Sequence, residues 1–292
     1  MIYVILGQTA SGKSSLAYRL AREFNLPLIG GDAFQIYKEL CVGTDKPKKE
    51  DLIQIKYHLI DEISVKTPIN VKEYQLKVRK LFDCYNSINQ DVIFTGGTFL
   101  YIKATLYPYS FQEEEISSEI KREIEKLSND EAWDLLLKLD RESTLNISKE
   151  NRRRVNRALE MAYSSKKKSE RKQDMSKPLY PCKIYAIDID REEGNNKINQ
   201  RVDYMFDHGL IEEIEYLKKN FDTSTSPFQA IGYKEFFTDE DKSLEEIKEE
   251  IKMDTRRYAK RQRTFLRHQF HSIKYMKKED IYLEISSLIH KR

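Results

Sequence analysis

The sequence predicts an α/β protein: a parallel sheet flanked by helices and interrupted by a helical insertion. Three observations carry that prediction. The first hundred residues alternate short apolar runs with apolar residues at helical spacing. The run Ile2-Tyr3-Val4-Ile5-Leu6 leads directly into Gly7-Gln8-Thr9-Ala10-Ser11-Gly12-Lys13-Ser14, which fits G-x-x-x-x-G-K-[ST], the phosphate-binding loop (P-loop) that joins a strand to a helix. From about residue 116 to residue 162 the periodicity is helical throughout, and an alternating, strand-like segment follows it.

Taken in order, residues 2–6 form the first strand. Leu16, Ala17, Leu20, Ala21 and Phe24 share one face of a helix over 14–24. Further strands are predicted at 27–29 and 91–95, with a weaker one at 57–60, and a helix at 71–86. In the insertion, Ile116, Ile120, Ile124 and Leu127 make one helical stripe. Trp133, Leu135, Leu136, Leu137 and Leu139 make a second, and Val155, Leu159 and Ala162 a third. A Lys/Ser-rich linker at 164–177 ends at Pro178 and Pro181. Residues 182–189 then alternate as a strand, so the chain re-enters the sheet. Helices follow at 195–208, 210–220, 229–237, 244–270 and 281–290. The domains are therefore 1–115 with 178–292 as an α/β core, and 116–177 as the helical insertion.

The 292 residues are 39% hydrophobic and 34% charged, and no run approaches the ~18 apolar residues of a membrane span. The first apolar stretch lacks a basic leader. Cys41, Cys84 and Cys182 show neither metal nor disulfide spacing, which fits a reducing cytoplasm. A cytoplasmic monomer is the expectation. Net charge is only +3, yet residues 149–172 hold ten Lys/Arg against three Glu, and residues 251–278 hold ten against Asp254 alone. Two basic blocks on an otherwise acidic chain point to a polyanionic partner. On a helix over 244–270, Arg256, Lys260, Arg263 and Arg267 fall in one stripe flanked by Arg257 and Arg261, with Tyr258 and Phe265 roughly opposite.

The chemistry starts from the loop. Its amides and Lys13 suit a di- or triphosphate, the Ser14 hydroxyl suits Mg2+, and the following helix aims its dipole at the anion. The default for such a P-loop NTPase-like core is nucleoside triphosphate hydrolysis or phosphoryl transfer. A hydrolase, however, wants a strand ending in an acidic residue. Here Val92-Ile93-Phe94-Thr95 runs into Gly96-Gly97-Thr98, and no N-K-x-D element is present. Asp32 follows the second strand instead. Because ligands sit at the carboxyl edge of such sheets, Lys13, Asp32 and Thr98 are expected to converge there.

At this point the chain closely resembles tRNA dimethylallyltransferases, the IPP transferase family. The resemblance covers nearly the whole length, and its ordered motifs are highly specific. They are the 7–14 loop; Asp32-Ala33-Phe34-Gln35-Ile36-Tyr37; Gly43-Thr44-Asp45-Lys46-Pro47; His58-Leu59-Ile60-Asp61; Gly96-Gly97-Thr98-Phe99-Leu100-Tyr101; Arg157-Ala158-Leu159-Glu160; Asn199-Gln200-Arg201-Val202-Asp203; Ala230-Ile231-Gly232-Tyr233-Lys234-Glu235; and Arg256-Arg257-Tyr258-Ala259-Lys260-Arg261-Gln262. The resemblance implies transfer of a dimethylallyl group from dimethylallyl diphosphate to N6 of the adenosine 3′ of the anticodon (position 37) in tRNA. It makes Lys13 and Arg201 stabilisers of the leaving diphosphate with Mg2+ at Ser14, Asp32 the base, and Thr98 a residue that orients either that carboxylate or the amine. It assigns tRNA contacts to Asp32, Ala33, Phe34, Gln35 and Thr98, to Arg153, Arg154 and Arg157, to Gly232, Tyr233 and Lys234, and to Arg256, Arg257, Lys260, Arg261 and Gln262, with the anticodon stem-loop as partner.

Ala33 and Phe34 stand where this family usually shows Ser and Met, Phe99 where it shows Gly, Glu150-Asn151 where it shows Asn-Asp, and Phe265 where it shows Trp. Phe99 is expected to narrow the channel or reshape donor choice. Asp32 as a magnesium ligand only is the alternative role. The competing activities are a nucleotide or small-metabolite kinase, a non-catalytic tRNA-binding protein, and prenylation of a free adenine nucleotide. The basic blocks argue against the last.

Overall fold

The computed structural model describes residues 1–109, 111, 116–163, 175–238, 241–270 and 272–291. The expected linker falls largely outside these. The chain divides into two compact units, Met1–Tyr107 with Ser176–Arg292, and Pro108–Met175.

The larger unit begins β1 (Ile2–Leu6), α1 (Lys13–Glu23), β2 (Leu28–Gly30), α2 (Lys49–Leu52), β3 (Tyr57–His58), α3 (Val71–Ser87), β4 (Val92–Thr95) and α4 (Phe99–Leu106). The smaller unit holds α5 (Ser118–Lys126), α6 (Asn129–Leu139), α7 (Arg141–Thr144) and α8 (Arg152–Ala162). The larger unit resumes with β5 (Cys182–Ile187), α9 (Arg191–Asp207), α10 (Leu210–Asn220), α11 (Leu244–Gln269), β6 (Ile273–Met276) and α12 (Lys278–His290).

Among the described residues six strands form one parallel sheet in the order β3-β2-β4-β1-β5-β6. β1 is central and buried on both faces, as its unbroken apolar run requires. Under it, Tyr3, Ile5, Leu16, Leu20, Ile93 and Ile281 join one core that packs α1 and α12 against the sheet. The long helices start on side-chain caps: Asn70 with Glu73 for α3, Ser243 with Glu246 for α11, and Asp190 for α9. α1 starts differently. Its N-cap is Gly12, in the left-handed region at φ +83°, with no side-chain cap and no acidic residue in its first turn. Its first N–H groups therefore remain available to an anion.

Several elements lie outside the sequence expectations, the short α2 among them. β6 pairs with β5 at the sheet edge, and α4 follows β4 directly. The helix expected over 229–237 is instead two 3₁₀ turns, Ser226–Gln229 and Lys234–Phe236, because Gly232 between them takes φ +97°. The smaller unit has its own core of Ile124, Ala132, Leu136, Ile147, Val155, Ala158 and Leu159. None of the described helices is long and apolar enough to cross a membrane.

Candidate active site

Three neighbouring strands, β2, β4 and β1, deliver the site from their carboxyl ends. After β1 the loop turns tightly: Ser11 N–H donates to Gln8 O at 3.2 Å, and Ala10 takes a positive φ. Gln8, Thr9 and Ser11 are buried, whereas Ser14 is exposed. Lys13 Nζ donates to Gln8 O at 3.5 Å. Arg201, from α9, donates to the Thr9 hydroxyl at 2.8 Å and pairs with Asp45 at 3.4 Å. Lys13, Ser14, Asp45, Lys46 and Arg201 line a cavity of about 880 Å³.

Burial first, and the Arg201 charge second, push the Lys13 ammonium down to about 8, against the opposing pull of Asp32 and Asp45. An anion bound at the loop restores the protonated form. Diphosphate affinity is therefore expected to hold below pH 8. It weakens as pH rises above about 8, where binding must take up a proton. Calorimetry of inorganic pyrophosphate between pH 6.5 and 9.5, in buffers of differing ionisation heat, measures both the trend and the proton. A flat affinity with no proton uptake contradicts it.

After β2 and β4 the backbones nearly touch. A Cβ on Gly96 would meet Gly31 backbone atoms at 2.1 Å, so only glycine fits. Gly31 donates to Thr95 O at 2.6 Å and accepts from Thr98 N–H at 3.1 Å. This brings Asp32 beside Thr98. Asp32 Oδ1 accepts from the N–H groups of Phe34 (2.9 Å) and Gln35 (3.4 Å). Oδ2 faces the other way: it and Lys13 Cε each lie 3.7 Å from the position a Cβ would take on Gly97. Thr98 Oγ1 accepts from Ala33 N–H at 3.0 Å. Lys13, Asp32, Thr98 and Arg201 thus come together, although far apart in sequence.

α11 closes the arrangement with residues that sequence reasoning placed elsewhere. Gln262 was expected on RNA but is 3% exposed. Its Oε1 accepts from Thr9 N–H at 2.7 Å, and its Nε2 donates to Gly97 O at 2.8 Å. Tyr258 donates to the same carbonyl at 2.9 Å. Burial and the Asp32 charge raise its phenol pKa, which keeps it a donor. Arg263 turns inward to the Gln8 amide oxygen, and Arg256 donates to Asn199 at 2.6 Å. The outward cations of α11 are Arg257, Lys260, Arg261 and Arg267. The stripe expected from angles alone therefore loses Arg256 and Arg263, both long enough to reach inward-facing acceptors at its edge.

Tyr233 was expected along an RNA path. It is fully buried, donates to Glu213 at 2.5 Å, and packs on Gly43. Glu213 also accepts from the N–H groups of Cys41 and Val42, so the pair anchors the loop that carries Asp45. No sequence motif signalled Glu213. Gly232 donates its N–H to buried Glu235, and Lys234 pairs with Asp254 at 2.6 Å. Gln35 donates to the carbonyls of Thr44 and Asp45, at 2.9 and 3.1 Å. Phe99, expected to intrude on the channel, is 3% exposed and packs its ring near Phe265 and Phe270, at 6.3 and 6.5 Å. In the smaller unit Arg153, Arg154 and Arg157 are exposed on α8, and Arg157 pairs with Glu160 at 2.7 Å.

A family model described as "IPP transferase" matches residues 35–269. The chain belongs to the IPP transferase family. Among its relatives in that family, the tRNA dimethylallyltransferase of Staphylococcus haemolyticus is 33% identical, across 100% of this chain and 92% of that protein. The tRNA dimethylallyltransferase of Bacillus licheniformis is 38% identical over 92% and 88%. A solved tRNA isopentenylpyrophosphate transferase from Staphylococcus epidermidis superposes with TM-score 0.72 at 32% identity, covering 100% and 99%. A eukaryotic dimethylallyltransferase captured acting on tRNA gives TM-score 0.79 at 26% identity, over 91% of this chain and 69% of that one. The P-loop-like sheet is thus the IPP transferase scaffold.

Proposed function

We infer that this chain transfers a dimethylallyl group from dimethylallyl diphosphate to N6 of the adenosine at position 37, 3′ of the anticodon, in tRNA, and releases diphosphate in the cytoplasm. The observation that carries this reading is the approach of Asp32 Oδ2 and Lys13 to the same face of Gly97. A carboxylate that can accept a proton stands across from a loop that can hold a leaving anion.

The residues divide the work. As the allylic C–O bond breaks, its electron pair stays with the diphosphate, where the loop amides, Lys13 and Arg201 stabilise the added charge. The adenine N6 forms the new C–N bond and gives a proton to Asp32. Thr98, hydrogen-bonded to Ala33 N–H, fixes the chain beside that carboxylate. Tyr258 and Gln262 act as positioning residues by holding Gly97 against the loop. The Ser14 hydroxyl, with Asp45 lining the same cavity, is a hard-oxygen donor set that fits Mg2+ held mainly through phosphates. Such an ion would neutralise diphosphate charge. A base within a stem-loop must be flipped out to reach this site.

The exposed cations of α11 and of α8 suit the phosphate backbone of an anticodon stem-loop, for which position rather than sequence is read. Replacing Lys260, Arg261 and Arg267 together by glutamine is expected to weaken tRNA binding and to lower the log Kd–log salt slope by about 2–3. Filter binding at several salt concentrations measures it, and an unchanged slope removes α11 from the interface.

The functional reading is tested by incubating the chain with labelled dimethylallyl diphosphate, Mg2+ and tRNA bearing adenosine at position 37. Label on that adenosine supports it. Phosphoryl transfer from ATP without prenyl transfer sinks it.

A further inference from the structure

In the basic block at 251–278, Lys278 counts with the RNA-facing charges by sequence. In the fold it goes elsewhere. It opens α12, and its Nζ lies 3.0 Å from Ser15 Oγ on the first turn of α1. A Cβ placed on Gly12 would find Lys278 Cδ at 3.6 Å and Nζ at 3.8 Å. Gly12 and Ser15 both line the cavity that Lys13 and Ser14 line. A second ammonium therefore reaches the phosphate loop, from a residue 265 positions after Lys13 in the chain.

Its seat is firm. Next to Lys278, Glu279 pairs with Arg19 at 3.0 Å, and the Arg19 guanidinium stacks 3.6 Å from the Tyr282 ring centroid. Tyr282 donates to the Glu23 carboxylate at 2.7 Å. Ile281 and Ile285 are fully buried in the core shared with Leu16 and Leu20. These ties fix the start of α12 along α1. Among the described residues no carboxylate pairs with Lys278; its ammonium is held by the Ser15 hydroxyl at the solvent-exposed rim and is free to turn to an anion. Ser15 already donates to Gly12 O at 2.9 Å, leaving its oxygen to accept from the lysine.

We propose that Lys278 is a diphosphate-binding residue: its ammonium shifts from Ser15 onto the phosphate farther from Lys13, so that two lysines bracket the anion at the loop. The proposal deepens the reading of this loop as the diphosphate site and rests on it. An isolated phosphate held at Lys13 would leave Lys278 on Ser15, so the residue should favour pyrophosphate over orthophosphate.

The test is calorimetric titration of the full chain with inorganic pyrophosphate and with orthophosphate, each with Mg2+, for the natural chain, Lys278→Gln and Lys278→Arg. The expected result is a pyrophosphate Kd raised about fivefold or more in Lys278→Gln. Orthophosphate binding should change by less than about twofold, and Lys278→Arg should restore pyrophosphate binding. The KM for dimethylallyl diphosphate should rise in parallel, with kcat little altered. Thermal melting separates a docking role: if Lys278→Gln lowers Tm and leaves the pyrophosphate Kd unchanged, Lys278 only holds α12 and the proposal is overturned. Equal weakening of both anions also overturns it. If the natural chain binds no pyrophosphate at all, the reading of the loop fails first, and the proposal falls with it.

Discussion

With asparagine at position 32, prenyl transfer to tRNA falls by about 10²- to 10⁴-fold, the range over which a positioned general base contributes. Asparagine keeps the shape of the side chain and an oxygen for the N–H groups of Phe34 and Gln35, so the turn after β2 should persist. What it cannot do is accept the N6 proton. tRNA binding and Tm are therefore expected to stay close to those of the natural chain, and the loss should fall on kcat rather than on KM. Single-turnover transfer with saturating tRNA measures it. Transfer within tenfold of the natural rate would show that the proton leaves by another route, with Asp32 serving a metal or the fold alone.

Methionine in place of Lys13 gives the second large effect. It keeps most of the length of the side chain and removes the charge, and the expected loss in transfer is about 10²- to 10³-fold, as for removal of one preorganised group from a developing anion. Stability should move the opposite way. The folded chain lowers the Lys13 pKa from its ordinary value to about 8, so the fold disfavours the charged form. Below pH 8 the charged ammonium destabilises the fold, and that penalty fades as pH rises towards the unfolded value. Lys13→Met should therefore melt no lower than the natural chain at pH 7, and higher if Arg201 relaxes. A large fall in Tm would mean that Lys13 holds the loop together rather than the anion.

The parts of the molecule legible in sequence were those governed by local pattern. β1, the phosphate loop and the amphipathic stripes of α1 and α3 follow from periodicity and one spaced motif. β6 was hidden because Ile273-Lys274-Tyr275-Met276 is an exposed edge strand among lysines, with no buried face to enforce alternation. α4 was hidden for the opposite reason. Its sequence Phe-Leu-Tyr-Ile-Lys-Ala-Thr-Leu is buried around most of its circumference, so no polar face marks a helical period. The misplaced side chains of α11 share one cause. Gln262 meets Thr9 across 253 residues, and Arg263 meets Gln8 across 255. A polar side chain next to a basic stripe looks solvent-facing until the partner that buries it is known. Lys13, Asp32 and Thr98 avoid that ambiguity because they follow β1, β2 and β4, whose carboxyl ends the sheet topology sets side by side, whereas Arg201 comes from α9 and was marked only by the family resemblance.

That topology also works as a ruler. Asp32 hangs from β2, Gly97 from β4 and the phosphate loop from β1, on three adjacent strands. Neighbouring strands lie about 4.8 Å apart, so Asp32 and the phosphate loop are anchored two steps apart, roughly 10 Å from strand axis to strand axis. The strands set the anchor points in whole steps, and the loops set how far the Asp32 and Lys13 side chains reach across them. A donor with a longer carbon chain leaves that strand spacing unchanged. Divergence in donor length should therefore be written in the cavity wall, while the strand spacing between Asp32 and the phosphate loop stays fixed.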